Sequence, residues 1–263
     1  MTRSESRIFC LKSERACCST RESGVPQSTL LVIQCRLQSK RLCAKVLYPL
    51  CGVPVLSFLI RRLKNVGLNS RVVVATSRTT PNDICAVWAE SEGVDVVRGD
   101  ASNVLQRYID CLQRYNPRWV VRVTADNPLT CPVLLSELVR SVAREGAEYG
   151  QFLDLPVGSG VDVFSALLLD RLAGTVKRFD EREHINLHIL RHSEKFRILR
   201  RLVRGECARP DLRLTIDTYE DWLSVKSIFR SSDIAPWNLP LSEAIKRLDR
   251  RRISAAKTAE MPL

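Results

Sequence analysis

Short apolar runs alternate with amphipathic segments between residues 30 and 146. Four runs of four to six residues are almost wholly apolar, as expected for strands that are buried on both faces of a parallel sheet. Each run is followed by a segment with apolar side chains at helical spacing. The runs lie at 30–33, 71–75, 94–97 and 119–124, and the helical segments at 54–66, 82–92, 103–115 and 132–145. This alternation predicts an α/β fold with a largely parallel sheet.

The pattern is looser after residue 148. Helices are predicted at 166–173, 182–191 and 219–229, and strands at 196–203 and 212–216. We therefore expect one domain at residues 29–240, in which 150–208 is a peripheral section. The polar segment 1–28 is expected to be a disordered tail, a weak organellar presequence or a non-native upstream extension. Residues 241–263 are expected to form a basic tail.

The composition of the 263 residues is that of an ordinary globular protein, with 45% hydrophobic residues and a net charge of +12. The charge indicates an anionic partner, such as a nucleotide or a phosphorylated sugar. Nucleic acid is disfavoured, because no basic stripe is interleaved with aromatic residues. No apolar run is long enough for a transmembrane helix, and none of the ten cysteines forms a CxxC pair. These features favour a cytoplasmic protein with reduced thiols.

A dense group of cations follows the first predicted strand. Residues 34–45 contain Arg36, Lys40, Arg41 and Lys45, together with the hydroxyl of Ser39. Convergent Arg and Lys side chains suit a polyphosphate. The segment is either a triphosphate-binding loop or a solvated basic loop, and it is not a Walker A loop.

Two acids follow predicted strands directly. Asp126 comes after 119–124, and Asp217 comes after 212–216. If the two strands are neighbours, the carboxylates form a site of hard oxygen ligands that suits Mg²⁺. The alternative is that one or both only cap a turn or helix, as Asp217 could at residue 218.

All three histidines fall in the predicted helix 182–191 and just beyond it. His184, His188 and His192 are spaced four residues apart, which would place them on one helical face. Zinc binding is nevertheless disfavoured, because HExxH is absent and no acid or cysteine completes the spacing.

Together these motifs resemble the sugar-acid cytidylyltransferases. Residues 32–47, VIQCRLQSKRLCAKVL, are similar to the family's opening motif IIQARxxSxRLPGKVL. The resemblance is closest to the branch named for spore-coat polysaccharide biosynthesis, which is related to the Kdo and acylneuraminate cytidylyltransferases. It covers about residues 30–230 in order. Further matches lie at 98–108, at 122–129 (family RxTGDxPL), at 160–164, at 180–184 (family YDREH) and at 211–221.

The resemblance implies a Rossmann-like nucleotidyltransferase fold, with a largely parallel but mixed sheet flanked by helices. It implies transfer of CMP from CTP to a sugar acid of the nonulosonic or ulosonic type, with release of pyrophosphate, for surface polysaccharide biosynthesis. A homodimer is also implied, with the section 150–208 expected to carry the dimer contacts and the sugar side. The implied catalytic residues are Arg36, Lys45 and Asp126. The implied nucleotide-binding residues are Arg36, Ser39, Arg41, Lys45, Thr76, Arg98 and Asp126. The implied Mg²⁺ ligands are Asp126 and Asp217. The residues implied to face the sugar acid or the dimer partner are Asp162, Arg182, Glu183 and His184.

The sequence departs from the family motif at three small or glycine positions. Gln38, Ala44 and Ala125 stand where the family has a small residue or glycine. Glycine permits positive φ and close approach of the backbone to phosphate. The alternatives to an active enzyme are therefore a degenerate relative that binds nucleotide weakly and a non-enzymatic basic binding protein.

Overall fold

The computed structural model describes residues 28–259 of the chain. Its strands are β1 (Thr29–Gln34), β2 (Pro49–Leu50), β3 (Val53–Pro54), β4 (Ser70–Ser77), β5 (Asp95–Gly99), β6 (Trp119–Thr124), β7 (Tyr149–Leu153), β8 (Asp162–Ser165) and β9 (Ile198–Leu202). Its α-helices are α1 (Val55–Leu63), α2 (Asp83–Ser91), α3 (Val104–Tyr115), α4 (Pro132–Glu145), α5 (Ala166–Thr175), α6 (Phe179–Glu183), α7 (Leu187–Arg191), α8 (Tyr219–Lys226) and α9 (Leu241–Ala259).

Seven strands form one twisted sheet in the order β5-β4-β1-β6-β8-β7-β9. β5, β4, β1 and β6 are parallel, whereas β8 is antiparallel to both β6 and β7. The sheet is therefore largely parallel but mixed, as predicted. The chain passes from β1 outward to β4 and β5 and then returns to place β6 on the other side of β1. In sheets of this kind, ligands bind outside the carboxyl ends of the strands at such a reversal.

Helices cover both faces of the sheet. Apolar side chains of α1, α2 and α4 pack on one face of β1, β4 and β6. Those of α3, α5 and α7 pack on the opposite face. The parallel strands are thus buried on both sides, which explains their continuous apolar runs.

Several elements after residue 148 differ from the prediction. The strands β7 and β8 were not predicted, and the expected helix 182–191 is divided into α6 and α7 by residues 184–186. The expected strand 212–216 is an extended segment with a single bridge, from Arg213 to Val157. This segment has the apolar pattern of a strand, but it pairs with its neighbour at one residue only and forms no ladder of backbone hydrogen bonds.

Residues 241–259 of the expected basic tail form the helix α9, and the first part of this helix packs against the domain. Leu241, Ala244, Ile245 and Leu248 of α9 are buried in a third apolar cluster, with Trp222 of α8 among their neighbours. Their spacing of three and four residues is that of an amphipathic helix. The many charged residues between them led to the prediction of a tail instead.

Three further expectations concern the chain as a whole. The thiols of Cys35, Cys43, Cys51, Cys85 and Cys111 are free, and five of the seven cysteines in the described part are buried. Within residues 28–259, no helix combines the length and hydrophobicity needed to cross a membrane. The expectation for the segment 1–28 lies outside the described residues, apart from Ser28.

Candidate active site

The basic loop after β1 is folded back by backbone hydrogen bonds. The N–H of Cys35 donates to the carbonyl of Ala75 at 3.0 Å, and the N–H of Ala44 donates to the carbonyl of Leu37 at 3.0 Å. The N–H of Leu37 donates to Oδ1 of the buried Asn82 at 2.6 Å. These contacts close a loop of about ten residues beside the reversal point of the sheet, which lies between β1 and β6 where the strand order changes direction.

The loop forms one wall of a cleft of about 850 Å³. Eight of the predicted site residues line this cleft: Arg36, Ser39, Arg41, Lys45, Asp126, Glu183, His184 and Asp217. The structure therefore brings the cationic loop, both acids and part of the predicted sugar side into one cavity. Gln34, Arg122 and Thr124 also line it, and no role was assigned to them from the sequence.

Lys45 lies at the centre of the charged residues. Its ammonium nitrogen Nζ bonds the carboxylate of Asp126 and lies 2.8 Å from Oδ1 of Asp217. Because both carboxylates contact the same nitrogen, their bonded oxygens are at most about 6 Å apart, twice the length of an ordinary hydrogen bond. Two carboxylates this close could share one divalent cation after a small movement.

Asp217 is surrounded by cations. Besides Lys45, it contacts Arg213, and Arg41 lies 2.8 Å from its Oδ1. Burial alone would raise the pKa of Asp217, but the hydrogen bond from Lys45 and the two nearby guanidinium groups hold it below its ordinary value. The side chain is therefore an anion at neutral pH.

Backbone contacts explain how the two acids meet. Asp126 lies in the turn after β6, and its carbonyl accepts a hydrogen bond from the N–H of Ile216 at 2.9 Å. The extended segment that carries Asp217 thus lies against that turn, although it is not a neighbouring strand as predicted. Thr218, not Asp217, is the N-cap of α8 and forms a capping box with Asp221. The capping alternative therefore does not account for the Asp217 side chain.

The predicted sugar-side residues separate into two groups. Glu183 and His184 line the cleft, and Glu183 bonds Arg36 across it at 3.0 Å. Asp162 is buried behind the cleft, where it accepts a hydrogen bond from Arg122 at 2.8 Å. Arg182 points elsewhere and donates to the carbonyl of Val176 at 3.4 Å. Asp162 therefore positions Arg122, which is the side chain that reaches the cleft wall.

Two predicted nucleotide-binding residues lie outside the cleft lining. Thr76 is fully buried in β4. Arg98 bonds Asp83 and the carbonyl of Ser77. The family resemblance implied both residues, but β4 and β5 lie one and two strands away from β1, which borders the reversal point.

The positions where the sequence departs from the family motif are not equivalent. Ala44 adopts a left-handed conformation with φ of 54° and ψ of 22°, immediately before Lys45. Gln38 and Ala125 both have negative φ. Only Ala44 therefore occupies a conformation that favours glycine.

The fold and the site together define an α/β protein with cations and paired carboxylates at the reversal of its sheet. Comparisons with known proteins are more specific. Residues 30–256 match the family described as "Cytidylyltransferase". The spore coat polysaccharide biosynthesis protein SpsF of Bacillus subtilis is 30% identical over 233 residues, which cover 87% of this chain and 97% of that protein. The chain therefore belongs to the cytidylyltransferase family, and the predicted resemblance is confirmed.

Other relatives agree with this assignment. The 3-deoxy-manno-octulosonate cytidylyltransferase of Yersinia enterocolitica is 28% identical over 141 residues, which cover 52% of this chain and 55% of that enzyme. A solved cytidylyltransferase from Leptospira borgpetersenii superposes with a TM-score of 0.79 at 28% identity, covering 87% of this chain and 96% of that one. A CMP-2-keto-3-deoxy-manno-octonic acid synthetase, solved with CTP, shares the fold with a TM-score of 0.61 at 14% identity, covering 77% of this chain and 98% of that one.

Proposed function

We propose that this cytidylyltransferase transfers CMP from CTP to a sugar acid and releases pyrophosphate, in the biosynthesis of a surface polysaccharide. The observation that carries the proposal is the position of Lys45 between the carboxylates of Asp126 and Asp217 in a cleft lined by further cations. The names of the relatives, a spore coat polysaccharide protein and octulosonate cytidylyltransferases, support the choice of base and acceptor.

The loop residues would bind the triphosphate. Arg36 and Arg41 are more than half exposed, with side-chain exposures of 57% and 62%, so they can turn toward a ligand at little cost. Lys45 is only 10% exposed and is fixed by its two carboxylates. The fixed cation would hold phosphate oxygens at the base of the cleft, and the mobile arginines would close over the outer phosphates, with Ser39 adding a hydroxyl donor.

The reaction needs positioning and charge stabilisation more than covalent catalysis. A hydroxyl of the sugar acid attacks the α-phosphorus and loses its proton to solvent as a new P–O bond forms, and the bond to the β-phosphate oxygen breaks as pyrophosphate leaves. The negative charge that develops on the leaving pyrophosphate is stabilised by Lys45 and the loop arginines. Holding both substrates in line supplies the remaining acceleration.

The carboxylates fit a divalent cation. Asp126 and Asp217 offer hard oxygen ligands that meet at the Nζ atom of Lys45. They would hold Mg²⁺, which neutralises part of the triphosphate charge when it is bound. Lys45 would then transfer its contacts from the carboxylates to phosphate.

The sugar acid would lie toward α6. Glu183 and His184 provide polar groups on that wall, and Arg122 provides a partly buried cation held in place by Asp162. A carboxylate substrate requires a cation nearby, and a guanidinium with fixed orientation binds it with geometric selectivity. Asp162 thus contributes to sugar binding through Arg122.

We also infer a homodimer formed through the peripheral section 150–208. Leu167 of α5 and Phe179 of α6, both in this section, are 81% and 66% exposed, and they would form an interface if they belong to one apolar patch. Light scattering of the wild type and of a Leu167→Asp/Phe179→Asp variant tests this inference. A wild type that is monomeric at micromolar concentration would contradict it.

The function is tested by measuring pyrophosphate release with four nucleoside triphosphates and a panel of sugar acids. We expect turnover with CTP and a sugar acid only. Binding of CTP without turnover on any acceptor would favour the degenerate relative, for which the strained Ala44 is the supporting observation. Tight RNA binding without CTP binding would favour the basic binding protein.

The carboxylates are tested by Asp126→Asn and Asp217→Asn. Each substitution keeps the shape of the side chain but removes an anion, so we expect folded proteins that lose most turnover and need more Mg²⁺ for the remainder. Asp95→Asn is the matched control, because Asp95 forms a salt bridge with Arg71 on the surface at β5, outside the cleft. Normal Mg²⁺ dependence in both cleft variants would refute the metal assignment.

A further inference from the structure

A second cluster of ligand side chains lies behind the cleft, where the predicted helix 182–191 is interrupted. The break at residues 184–186 turns His184 into the cleft and leaves His188 and His192 on the other side. There they meet Glu181 of α6. Ligand atoms of Glu181, His188 and His192 all lie within 4.8 Å of one another. The sequence argument against zinc assumed one continuous helix, in which no acid completes the spacing, whereas the structure brings Glu181 to the two histidines.

The carboxylate of Glu181 is buried and held in one orientation, as a metal ligand requires. Its side chain is only 4% exposed, and Arg191 donates to Oε1 at 2.9 Å. The other oxygen, Oε2, lies 2.8 Å from Nδ1 of His188. Burial works to raise the pKa of Glu181, but the hydrogen bonds from His188 and Arg191 lower it below its ordinary value. One oxygen is thus occupied by a guanidinium, and the other faces the imidazoles.

The two imidazoles are also in place. The ring centroids of His188 and His192 are 4.7 Å apart, and the ring of Phe196 packs edge-on against His188 at 6.1 Å. Ligands of a tetrahedral ion at about 2.1 Å lie about 3.4 Å from one another. The three atoms therefore need only small side-chain movements, in which the hydrogen bond between His188 and Glu181 opens and the ring of His192 moves inward.

We propose that Glu181, His188 and His192 bind a zinc-type transition-metal ion, with a fourth position open to solvent. Two imidazoles and one carboxylate are a common ligand set for such ions. The hydrogen bond of Arg191 to the second carboxylate oxygen is the kind of outer contact that orients a ligand. The site differs from the pair Asp126 and Asp217, whose oxygen ligands suit Mg²⁺, and it does not depend on the proposed function.

The net charge of the residues around the cluster does not oppose the binding of a metal cation. Arg178 and Arg191 both approach Glu181, but Asp180 accepts hydrogen bonds from each of them. The two arginines are therefore balanced by two carboxylates before the metal binds. The ion would tie α6 to α7, and the end of α6 carries Glu183 and His184 into the cleft. Metal binding would thus fix the sugar-side wall.

The test is zinc binding by the full-length protein after treatment with a chelator, measured by calorimetry in excess Mg²⁺. Co²⁺ serves as a spectroscopic probe, because its visible absorption reports tetrahedral nitrogen and oxygen ligands. The variants are His188→Ala and His192→Ala, with His184→Ala as the matched control from the same segment. Cysteines elsewhere contribute equally to all four proteins, so the comparison isolates the cluster.

We expect the wild type and His184→Ala to bind one equivalent of zinc that the other two variants lose or bind at least tenfold more weakly. Metal should also raise the thermal midpoint of the first two proteins only. His192 is partly exposed, so His192→Ala decides the question if His188→Ala fails to fold. Equal zinc binding by all four proteins, or no zinc binding by the wild type, would overturn the proposal.

Discussion

Replacing Ala44 by glycine should stabilise the protein. Ala44 stands before Lys45 in the triphosphate loop, with φ of 54° and ψ of 22°. Its N–H donates to the carbonyl of Leu37, and its carbonyl accepts from the N–H of Leu47 at 2.8 Å. Hydrogen bonds on both sides therefore hold the residue in the left-handed region, and it cannot relax without opening the loop.

The expected gain follows from two opposing terms. A left-handed conformation costs a residue with a Cβ atom roughly 1–2 kcal/mol. Glycine removes that strain but loses about 0.5–1 kcal/mol through the greater freedom of the unfolded chain. The difference predicts that Ala44→Gly raises the free energy of unfolding by about 0.5–1 kcal/mol.

Ala125→Gly is the matched control, because Ala125 has negative φ and is only 2% exposed. There glycine adds freedom to the unfolded chain and removes a buried methyl group worth about 0.8 kcal/mol, so stability should fall by about 1–2 kcal/mol. Urea unfolding, read as the midpoint at constant slope, measures both variants. If Ala44→Gly lowered stability as Ala125→Gly does, the argument from strain would be refuted.

Three other predictions concern the charged groups. Arg36→Ala and Lys45→Ala should each remove one charge-assisted contact worth about 1.5–3 kcal/mol. The dissociation constant for CTP, measured by fluorescence titration, should therefore rise at least tenfold. Unchanged affinity in both variants would refute the phosphate assignment. Asp162→Asn should lower kcat/KM for the sugar acid more than it changes CTP affinity, because it leaves Arg122 without its anion; equal effects on both substrates would contradict a sugar-side role. The lowered pKa of Asp217 means that its contribution to stability is present above about pH 4 and is lost as the pH falls toward the lowered value. Unfolding at several acid pH values should therefore show a smaller loss of stability for Asp217→Asn than for the wild type, and equal losses would contradict the shift.

The sequence by itself determined the elements whose signals are local. The helix α4 and the strand β6 lie where they were predicted, because β6 is an almost wholly apolar run and α4 begins at Pro132 and ends before Gly146. Gly146 ends the helix with φ of 62°, a conformation that glycine adopts without strain. Because the loop cations follow one such strand and Asp126 follows another, the order of the chain was enough to place them at one edge of the sheet.

Only the tertiary structure decided how distant segments meet. The bond from Ile216 to the carbonyl of Asp126 brings Asp217 to Lys45, across 172 residues of chain, without the neighbouring strand that was expected. The break between α6 and α7 separates His184 from His188, which share one face in a continuous helix. The apolar positions of α9 have helical spacing in the sequence, but the residues against which they pack, such as Trp222, come from other segments of the chain. These features depend on contacts between residues far apart in sequence, which local periodicity does not encode.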